Sequence, residues 1–218
     1  FSMLVSTAAM SQTKININIR GVSDKLLTNV ESRLEEYNKT KSLSSQSDTT
    51  ITKQVTLALY PYGYFSPIVR IYRNANGFPR NISIQKGLPT RIRQLNIKVI
   101  GPGKNNPKII KKVLELPLQR GQIFNSETYE EAKDSLFNTA EHEGYLRSRF
   151  DESTVIVNRR RKSADITLIF NTYKQYFFGR VYFNPTRLSQ QLLQRFVPFH
   201  YGATYRTDNG IALNNDLS

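Results

Sequence analysis

The chain contains no cysteine. That excludes disulfides, thiolate nucleophiles and thiolate metal sites, and it leaves the compartment open, because missing cysteine does not identify a redox environment. No apolar run approaches the length of a membrane-spanning helix in these 218 residues. Histidine is nearly absent: His142 and His200 stand far apart, and neither has a carboxylate or second histidine at ligand spacing that an ordinary helix surface does not explain better. There is no Gly-x-Ser-x-Gly elbow, and Gly101-Pro102-Gly103 lacks the continuation and lysine of a phosphate loop. The sequence therefore offers no catalytic residue, no metal ligand and no cofactor site, and the expectation is a protein that is not an enzyme.

Negative charge is scarce too. Thirty-one Lys and Arg face 17 Asp and Glu, for a net charge of +14. Lys86–Lys112 holds eight of the cations and no acid. A nucleic-acid binder should show aromatics interleaved on a sheet face or a recognition helix, and neither spacing occurs, so nucleic acid is not the expected partner. A basic anion- or nucleic-acid-binding module stands as the alternative reading. The run Arg159-Arg160-Arg161-Lys162 falls between two strand-like segments, where charge ordinarily marks a solvated turn.

What the chain does have is repetition. Leu116–Tyr145 reads as a helix with both ends written in: Asn125 or Ser126 can cap its start, Glu127, Glu130 and Glu131 suit the positive end of its dipole, and Gly144 offers a left-handed stop. Between them Tyr129, Ala132, Leu136, Phe137 and Ala140 make one apolar stripe. The ends of this stretch recur 81 residues away on either side, Gly63-Tyr64 echoing Gly144-Tyr145 and Phe199–Tyr205 echoing Leu118–Phe124. A unit of about 80 residues buries only ~60% of its unfolded surface, so neighbours are expected to be joined by short, stiff connections.

In chain order, residues 1–12 read as a signal-peptide remnant or a disordered terminus, with Thr7-Ala8-Ala9 resembling a signal-peptidase site. Ile15, Ile17 and Ile19 alternate as a strand ended by Gly21. After Ser23 or Asp24 as cap, Leu26, Leu27, Val30, Leu34 and Tyr37 predict a helix to about Asn38. Lys39–Thr50 is a polar loop, and Ile51, Val55, Ala58, Leu59 and Tyr62 predict a second helix closed by Pro61 and Gly63. Val69–Arg73 and Asn81–Gln85 form a hairpin around Asn74–Gly77. The order is β-α-α-β-β. It restarts with Leu95, Ile97, Val99 and Gly101, each 80 residues after its counterpart. Asn106-Pro107 opens a helix with Ile109, Ile110, Val113 and Leu114, and Asp151–Asn158 with Ala164–Phe170 completes the second hairpin. A third strand over Phe178–Phe183 and a helix with Leu188, Leu192, Leu193 and Phe196 begin another copy. Asp208–Leu217 is left for its second helix and nothing for a hairpin, so a longer parent chain is expected.

The period, the element order and the phrases Leu59–Tyr64, Lys86–Ile92, Tyr129–Lys133 with Gly144-Tyr145, and Leu193–Phe199 with Gly202 and Tyr205 resemble polypeptide-transport-associated (POTRA) domains, most closely those of the TamA type within the BamA-type outer-membrane assembly superfamily. The resemblance covers about residues 13–218. It implies an α+β fold of tandem β-α-α-β-β repeats, each a three-stranded mixed sheet covered by two helices. The domains would be POTRA 1 at 13–87, POTRA 2 at 88–172 and an incomplete POTRA 3 at 173–218. It further implies a periplasmic arm tethered to the outer membrane by a C-terminal β-barrel of the parent chain, serving outer-membrane protein assembly and autotransporter secretion. The implied partners are a TamB-like protein anchored in the inner membrane and unfolded outer-membrane protein clients. The Lys39–Thr50 loop is longer than the family's usual connection.

Strand addition needs an exposed sheet edge. In a unit of this family the third strand lies in the middle of the sheet, which leaves the first arm of each hairpin at an edge. The candidate polypeptide-binding residues are therefore Val69, Arg70, Ile71, Tyr72 and Arg73 in the first unit and Thr154, Val155, Ile156, Val157, Asn158 and Arg159 in the second. Gly63 and Gly144 are the structural turn residues, both expected at positive φ.

Overall fold

The computed structural model describes residues 17–184 and 189–206. The chain divides into two compact units, Phe1–Pro89 and Thr90–Ser218. The first runs β1 (Asn18–Arg20), α1 (Asp24–Thr40), α2 (Asp48–Leu59), β2 (Ile68–Arg73) and β3 (Pro79–Gln85). Its sheet order is β1-β3-β2, with β1 parallel and β2 antiparallel to β3. The second repeats the plan with β4 (Arg91–Ile100), α3 (Pro107–Leu114), α4 (Ser126–His142), β5 (Arg149–Asn158) and β6 (Ser163–Asn171), ordered β4-β6-β5. Among the described residues no helix is long and apolar enough to cross a membrane.

The middle strands explain the layering. Ile82 and Ile84 of β3, and Ala164, Ile166, Leu168 and Phe170 of β6, alternate with more exposed neighbours and bury one face of each sheet under the helices. In the first unit they meet Val30 and Leu34 of α1 and Ile51, Val55, Ala58 and Leu59 of α2. In the second, Phe170 packs with Ile109, Leu136, Ala140 and Tyr145. The other sheet faces remain open to solvent in part, and no helix is left over to cover them within either five-element plan.

Local chemistry sets the element ends. The Asn106 and Asn125 side chains each accept from two backbone N–H groups of the helix they precede, satisfying donors the helix cannot. Gly63 and Gly144 end their helical segments at φ of 84° and 81°. Gly21 is held at φ 91°, and a Cβ there would lie 1.9 Å from the Ile84 carbonyl oxygen, so the chain leaves β1 against the backbone of β3.

Several expectations are corrected. Ser23 occupies the cap position of α1 without a capping bond; its hydroxyl donates to Asp24 instead. The 39–50 stretch is not a plain loop: it forms a 3-10 turn, and α2 starts at Asp48. That turn buries Leu43 completely in the first core, with the Leu43 N–H bonded to the Asn38 side chain, so the longer connection contributes packing. Phe137, Ile110 and Leu114 are exposed rather than buried, because α3 and α4 each turn a narrower stripe toward the sheet than the pattern suggested.

The third copy differs most. Among the described residues no strand is seen over 178–183: a strand needs a ladder partner, and the one pairing described there is an isolated bridge, Phe177 to Thr204. A short helix, α5 (Gln190–Gln194), follows. Leu188, the 208–217 helix, the 1–12 terminus and Ile15 lie outside the described residues. The sequence echo is nevertheless real in the backbone. In the second unit Ile92 N–H donates to Gln122, Gly121 N–H to Ile92, and Phe124 N–H to Thr90. Phe178, Ala203, Gly202, Tyr205 and Tyr176 repeat these three bonds in the same arrangement.

Candidate functional site

The strand orders place β2 and β5 at sheet edges. On β2, Val69 and Ile71 pack against the core, while Ile68, Arg70 and Tyr72 face solvent. Arg73 is already committed. Its guanidinium donates to the Asp48 carboxylate at 2.8 Å, to the Gly77 carbonyl at 2.5 Å and to the Gln46 carbonyl at 2.6 Å. It clamps the start of α2 to the hairpin turn, with each of its three nitrogens already donating within the unit.

The edge strand β5 has two dissimilar halves. At its start the register skips Asp151, a bulge. The Asp151 carboxylate accepts from Asn171 at 2.9 Å and from the Tyr173 hydroxyl at 2.8 Å, with Arg149 alongside at 3.4 Å. Bonds from Asn171 and Tyr173, joined by the Arg149 charge, hold that carboxyl below its ordinary range despite some desolvation. The Tyr129 hydroxyl of α4 pairs with the Ser153 hydroxyl at 2.9 Å. This half is bent and tied to the body of the unit.

Past the bulge the strand is different. Thr154, Val155, Ile156, Val157 and Asn158 stand in unbroken register with Thr167, Ile166, Asp165, Ala164 and Ser163, carry no charge, and are mostly β-branched. Ile156 is 64% exposed. Five residues offer roughly 17 Å of backbone whose alternate N–H and C=O groups point away from β6. Arg159 does not belong to it: β5 ends at Asn158, and Arg159 lies in the following turn, because the chain reverses there.

One further edge in each unit was missed in the sequence, β1 in the first and β4 in the second. With β6 in the middle, β4 is the opposite edge, and it runs parallel to β6. Its first residues are covered by the Gly121–Phe124 segment; Asn96 and Lys98 further along are exposed. The signal was available, since a middle third strand leaves two edges rather than one.

A cleft of about 220 Å³ opens beside the third segment, lined by Arg180, Val181, Tyr182, Gln194, Val197 and Tyr201 among others. Phe199, which also lines it, stacks on Phe178 at 3.6 Å, and Phe178 leans on Tyr205 at 4.8 Å. Among the described residues no group of three or more His, Asp or Glu side chains could hold a metal ion.

Residues 16–85 match the family described as POTRA domain TamA domain 1. The chain is also similar to solved structures: POTRA domains 3 to 5 of Haemophilus influenzae BamA, at 13% identity over 79% of this chain and 70% of that one, with a TM-score of 0.43. Domains 1 to 3 of Anabaena Omp85 follow at 16% identity, 93% and 81% coverage, and a TM-score of 0.38. The N-terminal domain of Omp85 from Thermosynechococcus elongatus gives 14% identity, 93% and 83% coverage, and 0.35.

Proposed function

We propose that this chain, whose residues 16–85 are a POTRA domain of the TamA/BamA type, is part of a periplasmic arm that holds extended polypeptide during outer-membrane protein assembly. The observation that carries this reading is the uncharged edge Thr154–Asn158. An extended client laid beside it gains ladder bonds that water must otherwise satisfy, and alternate side chains can meet Ile156 on the exposed face. The β2 edge, Val69–Arg73, is the second place of addition. It is the weaker one, since Arg70 faces solvent there and an edge charge discourages pairing.

The clients are unfolded outer-membrane proteins, including autotransporters; the fixed partner is a TamB-like protein anchored in the inner membrane; and the parent chain continues into a membrane β-barrel. The 13–87 and 88–172 segments serve as POTRA 1 and 2, and 173–218 opens POTRA 3. Support for the last comes from the repeated bond pattern around Phe178, which matches the opening of the second unit.

Proline scanning tests the edge. Consecutive N–H groups of an edge strand point alternately inward and outward, so in the pair Val155→Pro and Ile156→Pro one variant loses a ladder bond and the other loses only an outward donor. The outward variant should melt near the parent yet fail to capture an extended peptide taken from an outer-membrane β-strand. Unchanged capture by that folded variant would sink the reading.

A further inference from the structure

We propose that the end of the second unit formed by Arg91, Arg93, Arg120 and the Arg159–Lys162 turn docks on the phosphate surface of an anionic lipid bilayer. Three separate stretches of sequence converge there. The Arg91 N–H donates to the Lys162 carbonyl at 3.0 Å, which seats the β5–β6 turn beside the first residue of β4. The Arg91 guanidinium donates to the Gly121 carbonyl at 2.7 Å, and Arg120 Nε donates to the Arg93 carbonyl at 3.1 Å, which stitches the 119–124 loop to the same place.

The joined stretches, 91–93, 119–124 and 158–165, hold seven cationic side chains and one carboxylate, that of Asp165. Asp165 is bound by Arg93. Arg91 and Arg120 give these donors to backbone carbonyls, so those bonds fix their positions while leaving their charge undiminished. Arg159, Arg160 and Arg161 are exposed. Lys162 sits at φ 52°, where glycine or asparagine is easier, so the turn carries a lysine against its own backbone preference.

The chemistry favours lipid over other anions. Guanidinium groups match phosphate in two-point geometry, and a hairpin tip can be laid on a flat field of headgroups. Ile123, bridged to Arg91 and 38% exposed, adds a partly exposed apolar side chain beside the arginines, the kind of residue that inserts at a membrane interface. Single-stranded nucleic acid would instead call for exposed aromatics to stack on, and the one aromatic of these stretches, Phe124, is buried.

The test is flotation of the 218-residue chain with vesicles of phosphatidylcholine alone or mixed with phosphatidylglycerol. Binding should require phosphatidylglycerol and weaken as salt is raised. Neutralising a cation at such a surface costs about fivefold in partitioning, so Arg159→Gln/Arg160→Gln/Arg161→Gln should lose roughly a hundredfold. The triple lysine variant keeps the charge and should stay within a few-fold of the parent. A control removing equal charge from the first unit, Lys39→Gln/Lys41→Gln/Lys53→Gln, should change binding little. Equal loss in the control would mean that only the overall charge matters, and indifference to phosphatidylglycerol would overturn the proposal outright. Tighter binding to poly-glutamate or single-stranded DNA than to the vesicles at one salt concentration would reassign the patch to that partner.

Discussion

Gly144 shows how one residue can hold two segments. At φ 81° any larger side chain is strained, and a Cβ there would stand 2.9 Å from both the Tyr176 carbonyl oxygen and the Thr204 methyl. The Tyr176 N–H also donates to the Gly144 carbonyl at 2.8 Å. Gly144→Val should therefore destabilise the second unit by at least ~2 kcal/mol, left-handed strain plus displacement of the backbone at Tyr176 and the Thr204 side chain, read as a lower denaturation midpoint. Lys162→Gly should run the other way, stabilising the unit by about 1 kcal/mol and raising the midpoint, since glycine relieves the left-handed lysine. Arg73 was legible as a strand residue but not as a clamp, because its partners, Gln46 before α2, Asp48 at its start and Gly77 in the hairpin turn, come from separate stretches that no local pattern brings together. Arg73→Ala should cost the first unit about 1–3 kcal/mol, while Arg70→Ala, on the open face, should cost next to nothing.

The elements were the most legible scale. Asn106 and Asn125 announce their helices, and the 80-residue register between Gly21 and Gly101 announces the repeat, because caps and periods are local properties of sequence. Bulges and long-range ties were not legible. Glu143 is the clearest example: lying just past α4, it accepts from Asn106 at 3.1 Å and from Lys108 at 2.5 Å, so it joins the end of one helix to the start of another. Burial alone would raise its pKa, but the bonds from Lys108 and Asn106 and the charges of Lys108 and Arg206 outweigh burial and lower it. Asp165 is held low by its bond from Arg93. A carboxyl whose folded pKa is depressed adds stability above its unfolded pKa and loses it as pH falls through the folded value, so the second unit should lose stability below about pH 4. Glu143→Gln should cost roughly 1–2 kcal/mol at neutral pH and flatten that acid dependence. Parallel stability curves for parent and variant from neutral pH to acid would show the linkage to be wrong.

For the whole molecule, two units of identical topology place two uneven edges and one basic end on a single chain. The element order was readable from the patterns, whereas the position of β5 at an edge followed from the resemblance to POTRA domains. What the sequence could not show is that the bulge at Asp151 and its ties leave only the second half of β5 open, since those bonds come from Asn171 and Tyr173 on the far side of a hairpin. Strand addition at this half is the claim on which the proposed function rests. Amide hydrogen exchange of the 218-residue chain, with and without an extended peptide from an outer-membrane β-strand, tests it most directly. The peptide should slow exchange at alternate amides within Thr154–Asn158, with a smaller effect on Val69–Arg73 and none on the amides of β6, which are already paired. Peptide bound at saturating concentration with exchange in Thr154–Asn158 unchanged would contradict the account.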